Sequence, residues 1–387
     1  MKKILIADKM SVQAEKVFNA NGINFDRKVG LSEDAICEIV NEYEGIVVRS
    51  ATKITKKIIQ AGNKLKVLGR AGIGVDNIDI ETATNSGIVV MNTPFGNSIT
   101  TAEHTISLMM SLARNIPQAS KSTKEGKWEK NKFMGTELFG KSLGMIGCGN
   151  IGSLVAERCI GLKMKVHVYD PFLSEEQTEK IGAKKVELEE ILSHSDFITL
   201  HTPLTDQTKG ILNKENLSKC KKIVKIINCA RGGLVVEQDL IELINEGKIS
   251  GAALDVFSEE PPKNNNLFNE DNLILTPHLG ASTSEAQENV AIQIAQQISD
   301  YLNNDVIINS INVSPVSIED APKLKPFIDL SLKLGKFGGQ VIENRISKIN
   351  ITFKGEIANL NTKPLIANVV AGIFSNRMES VNLINAE

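Results

Sequence analysis

Gly147-Cys148-Gly149-Asn150-Ile151-Gly152 fits the pattern G-x-G-x-x-G, a weak signal until its flanks are read. An apolar run over residues 143–146 leads into it and reads as a buried strand. Ile151, Leu154, Val155 and Cys159 follow at helix spacing. A second apolar run, 166–169, then ends in Asp170, about 20 residues beyond the motif. In such a unit the first glycine permits the tight turn, the second lets the backbone approach a pyrophosphate, and the third lets helix and strand pack closely. The helix N-terminus offers free N–H groups and the positive end of its dipole to the phosphates. A carboxylate at Asp170 can accept both hydroxyls of an adenosine ribose and would repel a 2′-phosphate, which points to NAD rather than NADP. The other reading is a glycine-rich turn with no ligand.

Downstream the alternation of strand and helix continues, which implies a parallel sheet. Four strand candidates each end in polar residues. Residues 197–200 lead to His201-Thr202-Pro203, and 223–227 to Asn228-Cys229-Ala230-Arg231-Gly232-Gly233. Residues 252–254 lead to Asp255 and then Glu259-Glu260-Pro261-Pro262, and 273–275 to Thr276-Pro277-His278-Leu279-Gly280-Ala281. Strand tips in one parallel sheet converge on one crevice, here beside the nicotinamide.

Hydride transfer between NAD and a secondary alcohol needs a base for the hydroxyl proton, a cation for the carboxylate and forming carbonyl, and a partner for the base. Histidine titrates near working pH. His104 falls inside a helix, His167 inside a strand and His194 on a helical surface segment, and all three read as structural. His201 and His278 stand at strand tips. His278 has the stronger claim to be the base, because its loop, through Gly280 and Ala281, can close on the nicotinamide. His201 with Thr202 reads as support for the cofactor's floor. Arg231 lies among small residues, so the backbone can approach the cofactor while the guanidinium grips a carboxylate and keto oxygen together. Glu260, followed by two prolines, can pair with His278. A surface ion pair for Arg231 and a solvated turn for Glu260 are the bland readings.

Upstream, strand candidates at 4–7, 45–48, 67–69 and 88–91 alternate with helical patterns near 11–19, 32–41, 55–61 and 79–85. Their tips carry Arg49-Ser50, then Arg70-Ala71-Gly72-Ile73-Gly74, then Asn92-Thr93-Pro94 with Asn97. Arginines there can bind an anionic substrate bidentately, and Gly72 and Gly74 can present backbone N–H groups. Arg49 and Arg70 can equally be solvated loop residues. Thr100-Thr101-Ala102-Glu103 reads as a capping box opening an apolar helix that crosses from the first domain to the second. The segment with Trp128 and Phe133-Met134-Gly135 is either a subunit contact or an intramolecular clasp. A long helical pattern, 284–302, returns the chain to the first domain, so two linkers form a hinge around a cleft. From about residue 309 the pattern changes. Pro315, Pro322 and Pro326 punctuate it, a helical stretch lies near 327–342, and 348–353 is a strand candidate. About seventy residues is small for an independent domain, which implies an incomplete module.

The totals exclude several classes. At 387 residues the chain can hold two or three domains, and its formal net charge of −2 gives no basic field for nucleic acid or an anionic membrane. No apolar run approaches ~18 residues, and Met1-Lys2-Lys3 leads straight into a strand rather than a signal peptide. Cys37, Cys148, Cys159, Cys220 and Cys229 are scattered, so neither a disulfide framework nor a metal site is indicated, and the cytoplasm is the simplest compartment.

With Arg231, Glu260 and His278 in hand, the chain resembles the D-isomer-specific 2-hydroxyacid dehydrogenases. The matching stretches are 48–53, 69–79, 91–98, 126–138, 147–152, 228–233, 252–262 and 277–283. The resemblance implies an α/β fold in which a Rossmann-type NAD-binding domain, 99–281, is inserted in a flavodoxin-like substrate-binding domain, 1–98 and 282–308. A partial C-terminal α+β module, 309–387, follows. It implies that Arg231 binds substrate, His278 is the acid/base and Glu260 its partner. Gly147, Gly149, Asn150, Ile151 and Gly152 would lie at the pyrophosphate and Asp170 at the ribose. Thr202, Pro203, Cys229, Ala230, Gly280 and Ala281 would line the cofactor, with Asp255 near the nicotinamide amide. Arg49, Ser50, Arg70, Gly72, Gly74 and Asn97 would hold the substrate's phosphate or carboxylate, with Lys130 or Lys132 reaching in from a partner subunit of a homodimer or homotetramer. The implied reaction is oxidation of 3-phospho-D-glycerate to 3-phosphooxypyruvate, the first step towards serine. The tail resembles the opening of a regulatory module that longer members extend into a serine-binding domain. Ile73 departs from the threonine that close relatives often carry, which removes a side-chain contact to cofactor phosphate. Reduction of glyoxylate or hydroxypyruvate on the same scaffold is the alternative enzyme, and an NAD-sensing corepressor-like binding protein the alternative class.

Overall fold

A computed structural model of the chain describes residues 2–263, 267–313, 321–342, 346–374 and 384. The chain divides into two compact units, 1–96 with 284–387, and 97–283.

In the first unit, strands β1 (Lys3–Ile6), β2 (Asn24–Arg27), β3 (Gly45–Val48), β4 (Val67–Arg70) and β5 (Val89–Met91) alternate with helices α1 (Gln13–Ala20), α2 (Glu33–Ile39), α3 (Lys56–Ala61) and α4 (Ile80–Asn85). The strands pair in parallel in the order β2-β1-β3-β4-β5, the flavodoxin-like order. β2 was not visible in the sequence. It is a polar edge strand, Asn-Phe-Asp-Arg, with no fully buried residue, so it lacks the apolar run that marks the others. The helix at Ser284–Asn304, α12, packs Val290, Ala291, Ile294 and Ile298 on this sheet. Gly69 makes that possible, since a Cβ there would stand 2.5 Å from Ile298 Cδ1.

In the second unit, α5 (Ser98–Arg114) and α6 (Ile116–Lys124) precede β6 (Ser142–Ile146), α7 (Asn150–Gly161), β7 (Lys165–Tyr169), α8 (Glu175–Lys180) and β8 (Lys184–Lys185). Then come α9 (Leu188–His194), β9 (Phe197–Leu200), α10 (Lys214–Ser218), β10 (Lys225–Asn228), α11 (Glu237–Asn245), β11 (Gly251–Leu254) and β12 (Leu273–Leu275). The seven parallel strands run β12-β11-β10-β9-β6-β7-β8, the Rossmann order with an extra edge strand. Two buried clusters, one on each face, sandwich this sheet, with α5 and α7 on one side and α9 and α11 on the other. The apolar faces of those helices therefore hold the strand tips in place. The capping-box expectation is corrected here. α5 starts at Ser98 with Asn97 as N-cap, so Thr100 already lies inside the helix.

The chain re-enters the first unit as α12 (Ser284–Asn304) and continues with α13 (Ala321–Val341) and α14 (Lys363–Phe374). Residues after α12 run along β5. Met91 bridges Ser310, and the Asn312 amide takes Val90 N–H at 2.9 Å and donates to Ile88 O at 2.9 Å. Pro322 and Pro326 do not break the chain as expected but lie within α13, Pro322 in its first turn, where a proline loses no helical bond. Pro315 lies outside the described residues. Residues 348–353 form no strand, and among the described residues no neighbouring strand offers them a ladder.

Candidate active site

The glycine-rich turn has the tight turn, the open space and the close helix–strand packing that the pattern needs. Gly147 has φ +87°, and a Cβ there would come within 2.5 Å of His201 O. A Cβ on Gly152 would meet Gly147 O at 2.8 Å, so helix α7 and β6 approach only because both lack side chains. Gly149, between them, has nothing within 4 Å of that position. The space over Gly149, at the first turn of α7, fits a pyrophosphate, and Asn150 and Ile151 open that helix. β6 and β9 are neighbours at the point where strand order reverses, so Thr202 and Pro203 border the same crevice.

Asp170 sits one residue past β7. Its Oδ2 accepts from Cys148 N at 2.8 Å and its Oδ1 from Phe172 N at 2.9 Å. One amide per oxygen fixes the carboxylate and leaves acceptor capacity, since a carboxylate can take about four donors. Cys148 beside it, and Cys229 one residue past β10, are inert thiols. Burial, with the Asp170 charge, pushes Cys148 up to about 11, and burial pushes Cys229 up to about 12.

The loops after β10, β11 and β12 carry Arg231, Glu260 and His278, and the strand order makes these loops neighbours. Arg231 follows β10. Asn228 Nδ2 donates to Arg231 O at 2.9 Å and Arg231 Nη1 to Ala230 O at 2.7 Å. Gly232 lets this loop press on the next one, because a Cβ there would lie 1.8 Å from Phe257 O. That loop carries Glu260, whose Oε1 accepts from Phe257 N at 3.1 Å and whose Oε2 stands 2.7 Å from His278 Nδ1. Burial opposes the charge on Glu260, but the His278 imidazole and the Phe257 amide outweigh it and hold the carboxyl below its ordinary value. The Glu260–His278 pair is half exposed, open to a substrate.

His201 is differently placed. Its Nε2 lies 2.9 Å from Thr199 Oγ1, and burial pushes the ring down to about 4, so it is neutral near pH 7 and serves as structure. His167 is also pushed down by burial, inside β7, and His194 bonds its neighbour Ser193 on the surface. The fifth histidine departs from the sequence reading. His104, in the second turn of α5, reaches Asp255 Oδ1 at 3.1 Å and Thr276 Oγ1 at 3.4 Å. Helix periodicity classed it with the packing residues, and no local signal could link it to an aspartate 151 positions away.

Asp255 is fully buried and held from several sides. Thr276 Oγ1 donates to Oδ1 at 2.6 Å, Leu279 N to Oδ1 at 2.7 Å and Gly280 N to Oδ2 at 2.8 Å. Ala281 continues that loop.

In the first unit, Ala71 N donates to Val48 O at 2.9 Å, so the loops with Arg49 and Arg70 are neighbours. Asp8 Oδ2 accepts from Arg49 N at 2.6 Å and from Thr52 N at 3.2 Å, and Asn77 Nδ2 donates to Arg49 O at 2.8 Å. Ser50 is exposed at the tip. Gly72, at φ +151°, makes room for the Arg70 guanidinium, which a Cβ would meet at 1.9 Å. Gly74 follows half-buried, and Asn92 Nδ2 donates to Ile73 O at 2.6 Å. Asn97, the first residue of the second unit, keeps a buried Oδ1 with no hydrogen-bond partner. No described helix is long and apolar enough to cross a membrane.

Comparison with known proteins gives consistent matches. Residues 106–280 match the NAD-binding domain of D-isomer-specific 2-hydroxyacid dehydrogenases, and 323–387 match the intervening domain of D-3-phosphoglycerate dehydrogenase. D-3-phosphoglycerate dehydrogenases are similar over the whole chain. That of Synechocystis is 45% identical, with 70% of its own length covered, that of Archaeoglobus fulgidus 44% with 73%, and that of Bacillus subtilis 42% with 73%. Among solved structures, the NAD+-bound 3-phosphoglycerate dehydrogenase of Entamoeba histolytica aligns with a TM-score of 0.68 at 32% identity, over 80% of this chain and 98% of that one. A glyoxylate reductase from Paecilomyes thermophila aligns at 0.74 and 26%, over 80% and 98%.

Proposed function

The chain belongs to the D-3-phosphoglycerate dehydrogenases, within the D-isomer-specific 2-hydroxyacid dehydrogenase family, and from that membership we propose how its residues divide the work of the reaction. It is an NAD-dependent oxidoreductase that oxidises the 2-hydroxyl of 3-phospho-D-glycerate to give 3-phosphooxypyruvate. We place that reaction at the first step towards serine, in the cytoplasm, in a homodimer or homotetramer.

Bound NAD supplies the hydride acceptor. His278 Nδ1 is engaged by Glu260, so Nε2 is the atom that takes the hydroxyl proton. Glu260 stabilises the resulting imidazolium and fixes the ring's orientation. Arg231 holds the carboxylate and the oxygen that becomes the carbonyl, and its charge favours the developing negative density there. Arg49, Ser50, Arg70, Gly72, Gly74 and Asn97 bind the remaining anionic group, with Lys130 or Lys132 of a second subunit. Gly147, Gly149, Asn150, Ile151 and Gly152 hold the pyrophosphate and Asp170 the ribose, while Thr202, Pro203, Cys229, Ala230, Gly280 and Ala281 line the nicotinamide end. The division into 1–98 with 282–308, 99–281 and 309–387 belongs to the same reading.

The observation that carries this assignment is the 2.7 Å contact between His278 Nδ1 and Glu260 Oε2 at the tips of adjacent strands. His278→Ala should lower kcat by about 10²–10⁴-fold while NADH affinity stays near wild type. Near-normal turnover would remove His278 from its role. Turnover of 3-phosphoglycerate should far exceed that of glycolate, and no activity on the former sinks the substrate assignment.

A further inference from the structure

His278 sits in a conformation that needs explaining. Its φ is +55°, a left-handed backbone that residues other than glycine rarely adopt. Three successive amides around it turn towards one residue. His278 N donates to Asp255 O at 2.9 Å, Leu279 N to Asp255 Oδ1 at 2.7 Å and Gly280 N to Asp255 Oδ2 at 2.8 Å. The loop is thus folded around the buried Asp255 carboxylate, much as a backbone nest folds around an anion.

Such a buried charge must itself be held, and the holder is α5. His104 Nε2 lies 3.1 Å from Asp255 Oδ1. Three residues earlier, on the same face of the helix, Thr101 Oγ1 donates to Gly280 O at 2.9 Å. Gly280 lies between the two grips, and a Cβ there would meet Asp255 Oδ2 at 3.2 Å and Thr101 Cγ2 at 3.4 Å. α5 is anchored by Ala102, Leu108, Met109 and Leu112 in the sheet's buried cluster, so it forms a fixed support.

We propose that His104 is a positioning residue for the reaction: by donating Nε2–H to Asp255 it fixes the carboxylate around which the loop bearing His278 is folded. The inference rests on the assignment of His278 as the proton acceptor. It gives the contact a direction. Removing the donor leaves a buried carboxylate one partner short, and the loop amides lose their fixed anchor. A displacement of about 1 Å in a reacting group is enough to cost about 10²-fold in turnover.

The test compares His104→Leu, which removes the donor, with His104→Gln, whose amide nitrogen can replace Nε2. Measurements are kcat and KM for 3-phosphoglycerate, NADH affinity by fluorescence, and amide hydrogen exchange over residues 276–282 in the cofactor-free protein. His104→Leu should lose about 10–10²-fold in kcat with NADH affinity within about threefold, and its Leu279 and Gly280 amides should exchange faster. His104→Gln should recover most of both losses. A folded His104→Leu with kcat within about twofold of wild type and unchanged exchange overturns the proposal. So does a His104→Gln no better than His104→Leu, which would reduce the site to packing. If His104→Leu does not fold, His104→Gln alone decides, since near-native kcat and exchange support the donor role and a loss of both overturns it. A failure of the His278 assignment is read separately, from persistent activity in His278→Ala.

Discussion

Asp170 and Asp255 stand one residue beyond the ends of two strands of the same sheet, and both are buried. They nevertheless do opposite things. Asp170 takes one backbone amide on each oxygen, which aims the carboxylate and leaves lone pairs over. Asp255 takes four donors, from Thr276, Leu279, Gly280 and His104. A carboxylate offers about two acceptor positions per oxygen, so Asp255 Oδ1 is filled by Thr276, Leu279 and His104 and only Oδ2, held by Gly280, keeps one, whereas both oxygens of Asp170 keep one. A half-satisfied buried acceptor waits for a ligand, and a filled one is scaffold. The resemblance placed both aspartates at the cofactor; on donor count Asp170 has the larger capacity in reserve, one position on each oxygen against one on Asp255 Oδ2.

The strongest way to break this contrast is Asp255→Asn. The amide keeps the shape but turns one acceptor into a donor that faces existing donors, so the loss should be severe: about 10²-fold in kcat and about 2–4 kcal/mol in stability by urea denaturation. If Asp255→Asn retains native stability and loses only NADH affinity, Asp255 is a cofactor contact first and the contrast fails. Asp170→Ala should behave in the reverse manner. Stability should fall by about 1–3 kcal/mol, because the Cys148 and Phe172 amides lose their acceptor, but kcat with saturating NAD should hold, and the preference for NAD over NADP should fall by about tenfold or more. Unchanged cofactor preference would return Asp170 to a turn-capping role.

The difference between these aspartates also marks what the sequence made legible. The unit around Gly147, Gly149, Gly152 and Asp170 could be read because each task is local. One glycine turns, one clears space, one packs, and the carboxylate follows at a fixed interval. The placement of Arg231, Glu260 and His278 at adjacent strand tips could be read because parallel strands deliver their tips to one edge, so position along the chain maps onto position along that edge. His104 could not. Its partner is 151 residues away, and from within α5 it looks like any half-buried helical side chain. β2 escaped because an edge strand can be polar, and residues 348–353 misled because alternation without a neighbouring strand does not make one. Local chemistry is written in spacing, whereas supporting contacts are written only in the packing.

The smallest effect tests the charge on Asp255 itself. Burial alone would raise its carboxyl, but His104, Thr276 and the Leu279 amide outweigh that and hold it below the ordinary value of 3.8. The folded state therefore binds this proton less readily than the unfolded chain. The resulting stabilisation is complete above the unfolded value and is lost as pH falls through the lower, native one. The gap in urea midpoint between wild type and Asp255→Asn should accordingly stay level from about pH 8 to about pH 5 and narrow below about pH 4, as wild type gives up what the asparagine never had. In the His104→Leu background the native carboxyl loses one of the donors that depress it, so the narrowing should be smaller and complete at higher pH. A gap that stays constant into acid would mean that Asp255 contributes shape rather than charge, and the loop around His278 would then need another anchor.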